Sequence, residues 1–345
     1  MVVDKEISLR FKIVSAIAML GVVFIHSKFI MSRWAEKLAY GNFNSILSNA
    51  LQYLISEQIA RVCVPVFFFI SGFFFFYKYH GSVKSFFKLI KKRIQSILVP
   101  YVFWSLFWFF IYWLINMNAY KDYFLYSFFY SLIKPIPYQF WFLQILILCF
   151  FLSPLIYWFI KKIKFIFLIA LLAIYFLDFI HFKSNFYGVI FFSLGAVFCK
   201  IDVLKKQIFS KKINIFIYGV LLIINEFIFL ANFKSHVIVW IFLHKLSILI
   251  AMVMILNFIF FSKRNITLSS RLNKIINSSF LFFLFAFHEP VLSSFKNLWY
   301  QLIGANYNLF AYLLLPLWTV FLAYMIYRIM DRYNNKILKL ITGGR

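Results

Sequence analysis

The stretch KKRIQSILVPYVFWSLFWFFIYWLI, residues 91–115, decides the class of fold. Three cations open it, and after Arg93 no charged residue occurs before Lys121. A bilayer core of about 30 Å is crossed by about 20 apolar residues in a helix rising ~1.5 Å per residue. The stretch therefore reads as a membrane-spanning helix entered from a basic surface. Apolar stretches of this kind recur along the chain. Ten are predicted, at 13–31, 58–77, 97–116, 139–160, 165–181, 185–199, 213–232, 237–261, 279–295 and 307–327, the fifth and sixth being short. The expected fold is an all-α, polytopic membrane bundle of about ten transmembrane helices.

Composition agrees. Of 345 residues, 64% are hydrophobic and 13% charged, whereas soluble domains run nearer ~45–50% apolar. A soluble enzyme, a disordered chain and a collagen-like fibre are excluded, because the polar residues cannot cover a water-facing surface. Lys5, Arg10 and Lys12 precede the first stretch as they would a signal peptide. Its apolar run is too long and no small-residue cleavage site follows, so a retained anchor is expected.

Net charge is +26, yet the cations sit in clusters between apolar runs, the pattern that orients a membrane protein rather than one that binds nucleic acid. With the N-terminus inside and the spans alternating, 26 of the 36 Lys and Arg fall on the inner side and eight outside. Both termini are thus expected in the cytoplasm, and the chain in the cytoplasmic membrane, with membrane lipids as partners. Cys63, Cys149 and Cys199 lie in apolar runs without metal-ligand spacing, so packing roles are expected and neither disulfide nor zinc. The organisation read from this is a transmembrane domain over 7–330 and a basic cytoplasmic tail over 331–345. No loop has room for a second domain. Residues 82–96, SVKSFFKLIKKRIQS, read as an amphipathic helix on the inner surface.

Ionisable groups inside spans are costly and mark function by default. His26, Arg61, Asp178, Glu226 and Lys245, which adjoins His244, fall at similar depth in the outer half. Arg61 and Lys245 are expected to balance Asp178 and Glu226 around a polar cavity opening outward; snorkelling to the surface is the competing account. His288 opens the triplet His288-Glu289-Pro290. Pro290 frees the carbonyl four residues earlier, and His288 suits a core histidine as readily as a catalytic one. The pair Ser71-Gly72 allows close helix approach. The run Lys91-Lys92-Arg93 suits lipid attraction and topology unless an anionic cytoplasmic ligand exists.

Five segments together resemble the acyltransferase-3 family of integral-membrane O-acyltransferases. They are SAIAMLGVVFIHS (15–27), RVCVPVFFFISGF (61–73), KRI (92–94) with ILVPY (97–101), WFL (141–143) with SPL (153–155), and FHEPV (287–291). The resemblance implies His26 as the catalytic histidine ending the first helix. It also implies transfer of an acyl group, commonly acetyl, from cytoplasmic acyl-CoA to a hydroxyl of an extracytoplasmic or lipid-linked glycan. CoA phosphates would dock at Lys92 and Arg93. His26 would act as general base or carry a transient acyl group. Arg61, held by Glu57 one turn earlier, would orient the base or stabilise the oxyanion. Trp141, Glu226, Lys245 and His288 are further candidates. The family's arginine eleven residues before the histidine is here Ser15, on the face of His26; Lys12, ~40° off that face, is expected to supply the missing cation. A rival reading from span count and buried charge is an exporter of polysaccharide or lipid-linked sugar.

Overall fold

Side-chain caps mark where several helices begin. Ser82 Oγ accepts from the Ser85 amide (3.2 Å) and starts α4, Val83–Arg93. Asn334 Oδ1 accepts from the Ile337 amide (3.1 Å) and starts the last helix, α14, Asn335–Ile341. Such oxygens satisfy amides left open in a first helical turn. The structure, a computed structural model, describes residues 5–29, 43–115, 124–134, 137–177, 185–201, 211–230, 237–262, 266–303 and 308–344, which contain helices and no strand. The other long elements are α1 (Lys5–Ser27), α2 (Phe43–Gln52), α3 (Cys63–Lys78), α5 (Val99–Ile115), α6 (Phe124–Ile133), α7 (Trp141–Leu177) and α8 (Asn185–Lys200). After them come α9 (Lys211–Leu230), α10 (Val237–Phe261), α11 (Ser270–Ile275), α12 (Ser278–Ile303) and α13 (Asn308–Tyr333).

Eight helical runs among the described residues are long and apolar enough to cross a membrane, and a shorter apolar helix covers Phe186–Lys200. The difference from ten lies mainly in α7, which carries both the fourth and the fifth predicted stretch. A straight helix of its 37 residues would be ~55 Å long, against a core of ~30 Å. It breaks at Lys164, where φ is 25° and ψ −92°. Phe159 then stacks on Phe167 at 5.2 Å, although eight residues of straight helix would separate them by ~12 Å. The chain doubles back there, with Lys161, Lys162 and Lys164 at the turn.

Two spans begin earlier than their apolar runs suggest. Before α3, π-helical Tyr53–Ile59 and 3-10 Ala60–Val62 join α2 to it, giving one run from Ile46 to Lys78. Before α5, π-helical Ile94–Leu98 joins the amphipathic α4 to the third span, giving one run from Val83 to Ile115. Each irregular segment lies just ahead of a proline, Pro65 or Pro100, which removes a helical donor. π-Helical turns often sit at functional sites; here one carries Glu57 and the other follows Arg93.

Helices α3 and α8 approach closely. A Cβ at Gly72 would strike the carbonyl oxygen of Phe192, and a Cβ at Gly195 that of Phe69, so each helix offers a glycine to the other's backbone. This is small-residue packing, which replaces the hydrophobic drive absent between helices in lipid. Gly72→Leu is expected to cost on the order of 3 kcal/mol through forced separation of the helices. A thermal-melting comparison in detergent should show a clearly lowered midpoint; an unchanged midpoint would mean α3 and α8 are not held by this contact.

Several contacts gather one end of the bundle, here called the basic end. Arg10, on the face away from His26, is 5% exposed; its Nη1 donates to the Ile259 carbonyl of α10 (3.2 Å) and its Nη2 to Glu6 (2.8 Å). Lys200 Nζ donates to the Tyr79 carbonyl (2.9 Å). The segment after residue 330 is docked there too. Trp104 Nε1 donates to the Ile341 carbonyl (2.9 Å), Ser279 Oγ to Thr342 Oγ1 (3.1 Å), and Leu338, Ile341 and Thr342 are buried. At the far end lie the close of α1 and the starts of α3, α7 and α10.

Candidate active site

The far end of α1 is fixed by its last carbonyls. Ser56 Oγ donates to the Phe24 carbonyl (2.8 Å) and is also bonded to the Tyr312 hydroxyl (2.8 Å). Lys296 Nζ donates to the carbonyl of His26 (2.9 Å) and to that of Lys28 (3.3 Å). A cation at a helix C-terminus is favourable because open carbonyls and the helix dipole concentrate negative charge there. The imidazole of His26 is thereby held on a rigid support.

Its ring lies 5.2 Å from that of His288, at 68° between planes. His288 is fully buried, and its Nδ1 sits 3.0 Å from the Leu284 carbonyl and 2.9 Å from that of Phe285. Both neighbours are acceptors, so Nδ1 bears the proton and Nε2 is a lone-pair acceptor. Pro290 leaves the carbonyl of Ala286 without its helical donor; Trp108 Nε1 supplies one at 3.0 Å. The kink therefore carries no open carbonyl at this point.

Arg61 Nε donates to Glu57 Oε2 (2.7 Å), across the single turn between them. Lys28 pairs with the other oxygen of Glu57, a partner that sequence reading does not supply. Glu57 thus pairs with two cations beside His26, and the trio keeps a net positive charge.

His26, Glu57 and Arg61 border one cavity of about 720 Å³. On α1 it is lined by Ser15, Met19, Val22, Ile25 and His26, one face of the helix. On α3 and the turn before it, Arg61, Val64, Phe68, Ser71 and Phe74 form the facing wall. Ser15 to His26 spans ~16.5 Å and Arg61 to Phe74 ~19.5 Å along the helix axes. Helix α12 lines it from Ser278 to Phe285. Arg93 and Ile97 line it as well, next to Lys92 and the start of α5. One continuous space therefore joins Arg93 at the basic end with His26, Glu57 and Arg61 at the far end. The middle of the wall is apolar apart from Ser15 and Ser71.

The structure sorts the sequence candidates. His26, Glu57, Arg61, Arg93 and Trp141 line the cavity; His288 does not line it and lies behind His26 and Phe285. Lys92 is exposed beside Arg93. Lys12 is exposed and does not line the cavity, which at that level of α1 begins with Ser15. A long cation near a helix end reaches out to water, so at the basic end the cation lining the cavity is Arg93, from α4, and not Lys12. Glu226 and Lys245 do not line it either. Gln58 Nε2 donates to Glu226 (2.8 Å), and Lys245 Nζ donates to the Tyr175 carbonyl (2.8 Å) over the Tyr175 ring. The expected balance of Arg61 and Lys245 against Glu226 is replaced by these local pairs; Asp178 lies outside the described residues. Sequence reading did not single out Tyr138, Gln139, Trp240 or, beyond its place beside Lys245, His244, all of which border the cavity. None but His244 is ionisable in the relevant range, so no cost-of-charge signal exposed them.

The arrangement offers a base, a paired guanidinium and a separate basic docking point, which together suit transfer between two substrates arriving from opposite ends. The acyltransferase domain of the acyltransferase-3 family matches residues 11–328. The chain is similar to the succinoglycan biosynthesis protein ExoH of Rhizobium meliloti, with 26% identity over 165 residues. That alignment covers 44% of this chain and 43% of the relative. No solved structure matches.

Proposed function

This chain belongs to the acyltransferase-3 family, and from that membership we propose that it is a membrane O-acyltransferase moving an acyl group, acetyl in the first instance, from acyl-CoA to a glycan hydroxyl. The single observation that carries the reading is the continuous cavity from Arg93 to His26. The glycan acceptor follows the succinoglycan pathway assignment of the similar protein from R. meliloti.

In this reading the basic end faces the cytoplasm, as the excess of cations there favours, and both termini lie on that side of the cytoplasmic membrane. CoA phosphates dock at the exposed Lys92 and at Arg93, whose planar fork pairs with phosphate oxygens. The slim pantetheine arm follows the apolar cavity, and its thioester meets His26. His26 takes the proton of the glycan hydroxyl, its oxygen attacks the thioester carbonyl, and the C–S bond breaks. The departing thiolate recovers that proton from the imidazolium, leaving an ester and free CoA thiol. An imidazole suits this exchange because one ring nitrogen can take and return a proton while the other is held by a neighbour. His288 Nε2 has no partner within the protein and its ring meets that of His26 edge-on, so it is available to accept from the proton-bearing nitrogen of His26 as the substrates bind and to hold that tautomer. Arg61, aligned by Glu57, faces the developing oxyanion.

The test uses proteoliposomes holding the full chain, labelled acetyl-CoA and surface glycan from the source cells. Glycan-dependent release of CoA, with a mass gain of one acetyl group per acceptor, is the expected result. Substrate flux of glycan without acetyl-CoA, and no acetylation, would instead favour an exporter.

A further inference from the structure

Two side chains at the far end of the cavity carry buried polar atoms that lack a hydrogen-bond partner. Gln139 is 2% exposed, and both its Nε2 and its Oε1 lack a hydrogen bond within the protein. His244 Nδ1 is likewise buried and unpaired. Burying such groups without partners costs several kcal/mol in the folded state, on the order of 1–3 per group, so they fit a ligand that supplies both donors and acceptors. Gln139 lies just before α7, and His244 lies two turns into α10, so both come from the end that holds Arg61 and His26.

Aromatic surfaces flank them. Trp141 follows Gln139 by two residues and lines the cavity. Trp240 stacks on His244 at 5.1 Å with 9° between planes, and its Nε1 donates to the Tyr53 hydroxyl (2.6 Å), which fixes the indole. Tyr53 is itself stacked on Phe229 at 3.7 Å. Rigid indole faces beside an open amide are complementary to a pyranose, whose ring carries an apolar C–H face and adjacent hydroxyls. An amide offers a donor and an acceptor side by side, matching two neighbouring hydroxyls.

We infer that this end of the cavity is a sugar-ring subsite, in which Gln139 and His244 bind hydroxyls of a hexopyranose seated against Trp141 and Trp240. The groups that bind the ring are an amide and an imidazole, and the nearby carboxylate of Glu57 is already engaged by Lys28 and Arg61. The subsite deepens the acyl-transfer reading and rests on it: it holds the ring while one further hydroxyl reaches His26. The pantetheine amides are the competing ligand, and they would make Gln139 a donor-side residue.

The experiment measures acetyl transfer from acetyl-CoA to methyl hexopyranosides and to cyclohexylmethanol, an alcohol of similar size without ring hydroxyls. The full-length protein in proteoliposomes is compared with Gln139→Met, which keeps the shape, and His244→Phe, which keeps the stack on Trp240. The expected result is a preference for at least one hexopyranoside over cyclohexylmethanol, with the KM for that sugar raised about tenfold in each variant and the KM for acetyl-CoA unmoved. No preference in the native protein, a preference that survives both substitutions, or a rise in the acetyl-CoA KM instead would overturn the subsite. Absence of acetyl transfer to any alcohol would sink the acyl-transfer reading itself, a distinguishable failure.

Discussion

His26→Ala is expected to lower acyl-transfer turnover by about 10³-fold, the middle of the range for removing a general base. Its KM values should hardly move, because the ring forms only a small part of the wall of a cavity of about 720 Å³. The comparison that makes this specific uses His288. His288→Gln keeps an acceptor near the place of Nε2, whereas His288→Leu keeps bulk and removes it. Turnover should fall by about tenfold or less in the first and by about a hundredfold in the second, since a positioning contact acts through the base. Steady-state rates with labelled acetyl-CoA, on protein shown to be monodisperse, provide the check. Unchanged turnover in His26→Ala would remove the imidazole from the chemistry.

The second large effect belongs to Arg93. Its guanidinium stands 5.1 Å from the centroid of the Phe150 ring and lines the cavity at the basic end. Hydrogen bonds to charged groups are worth about 1.5–3 kcal/mol, so Arg93→Ala should raise the KM for acetyl-CoA by roughly 10–100-fold. Arg93→Lys should recover part of this, because it keeps the charge and loses the fork. Lys12→Ala should do little, since that side chain is exposed outside the cavity. A KM for acetyl-CoA that follows Lys12 and ignores Arg93 would reverse the assignment of the donor end.

The spans were legible because a bilayer imposes one strong rule, a long apolar run between basic flanks. The amphipathic helix over 82–96 was legible for the same reason, from Phe86, Phe87, Leu89 and Ile90 interleaved with lysines. Its smooth entry into the third span was not, because π-helical Ile94–Leu98 has no compositional mark apart from the proline after it. The reversal at Lys164 was hidden too: no glycine or proline punctuates it, and only the length of α7 demands a break.

At the site, charge was the readable signal. His26 and Arg61 stand out because an ionisable group in a span needs a reason, whereas Glu57 and Arg93, outside the predicted spans, enter through the family resemblance. Helical arithmetic then misplaced Lys12, since an angle on a wheel does not say which neighbours cover that face. Arg10 shows the converse: it lies away from His26 yet is buried, because α10 brings the Ile259 carbonyl to it. Gln139 and Trp240 are neutral and sit at span ends, where such residues also serve as interfacial anchors. Only the fold turns them inward together.

Sidedness tests the central claim most directly. Proteoliposomes of a single known orientation would be loaded with acetyl-CoA on the side of the basic end alone, with glycan on the far side alone. Acetylated glycan should accumulate on the far side, and should cease in His26→Ala. Acetylation only when both substrates share one compartment would contradict a thioester reaching His26 through the cavity from Arg93.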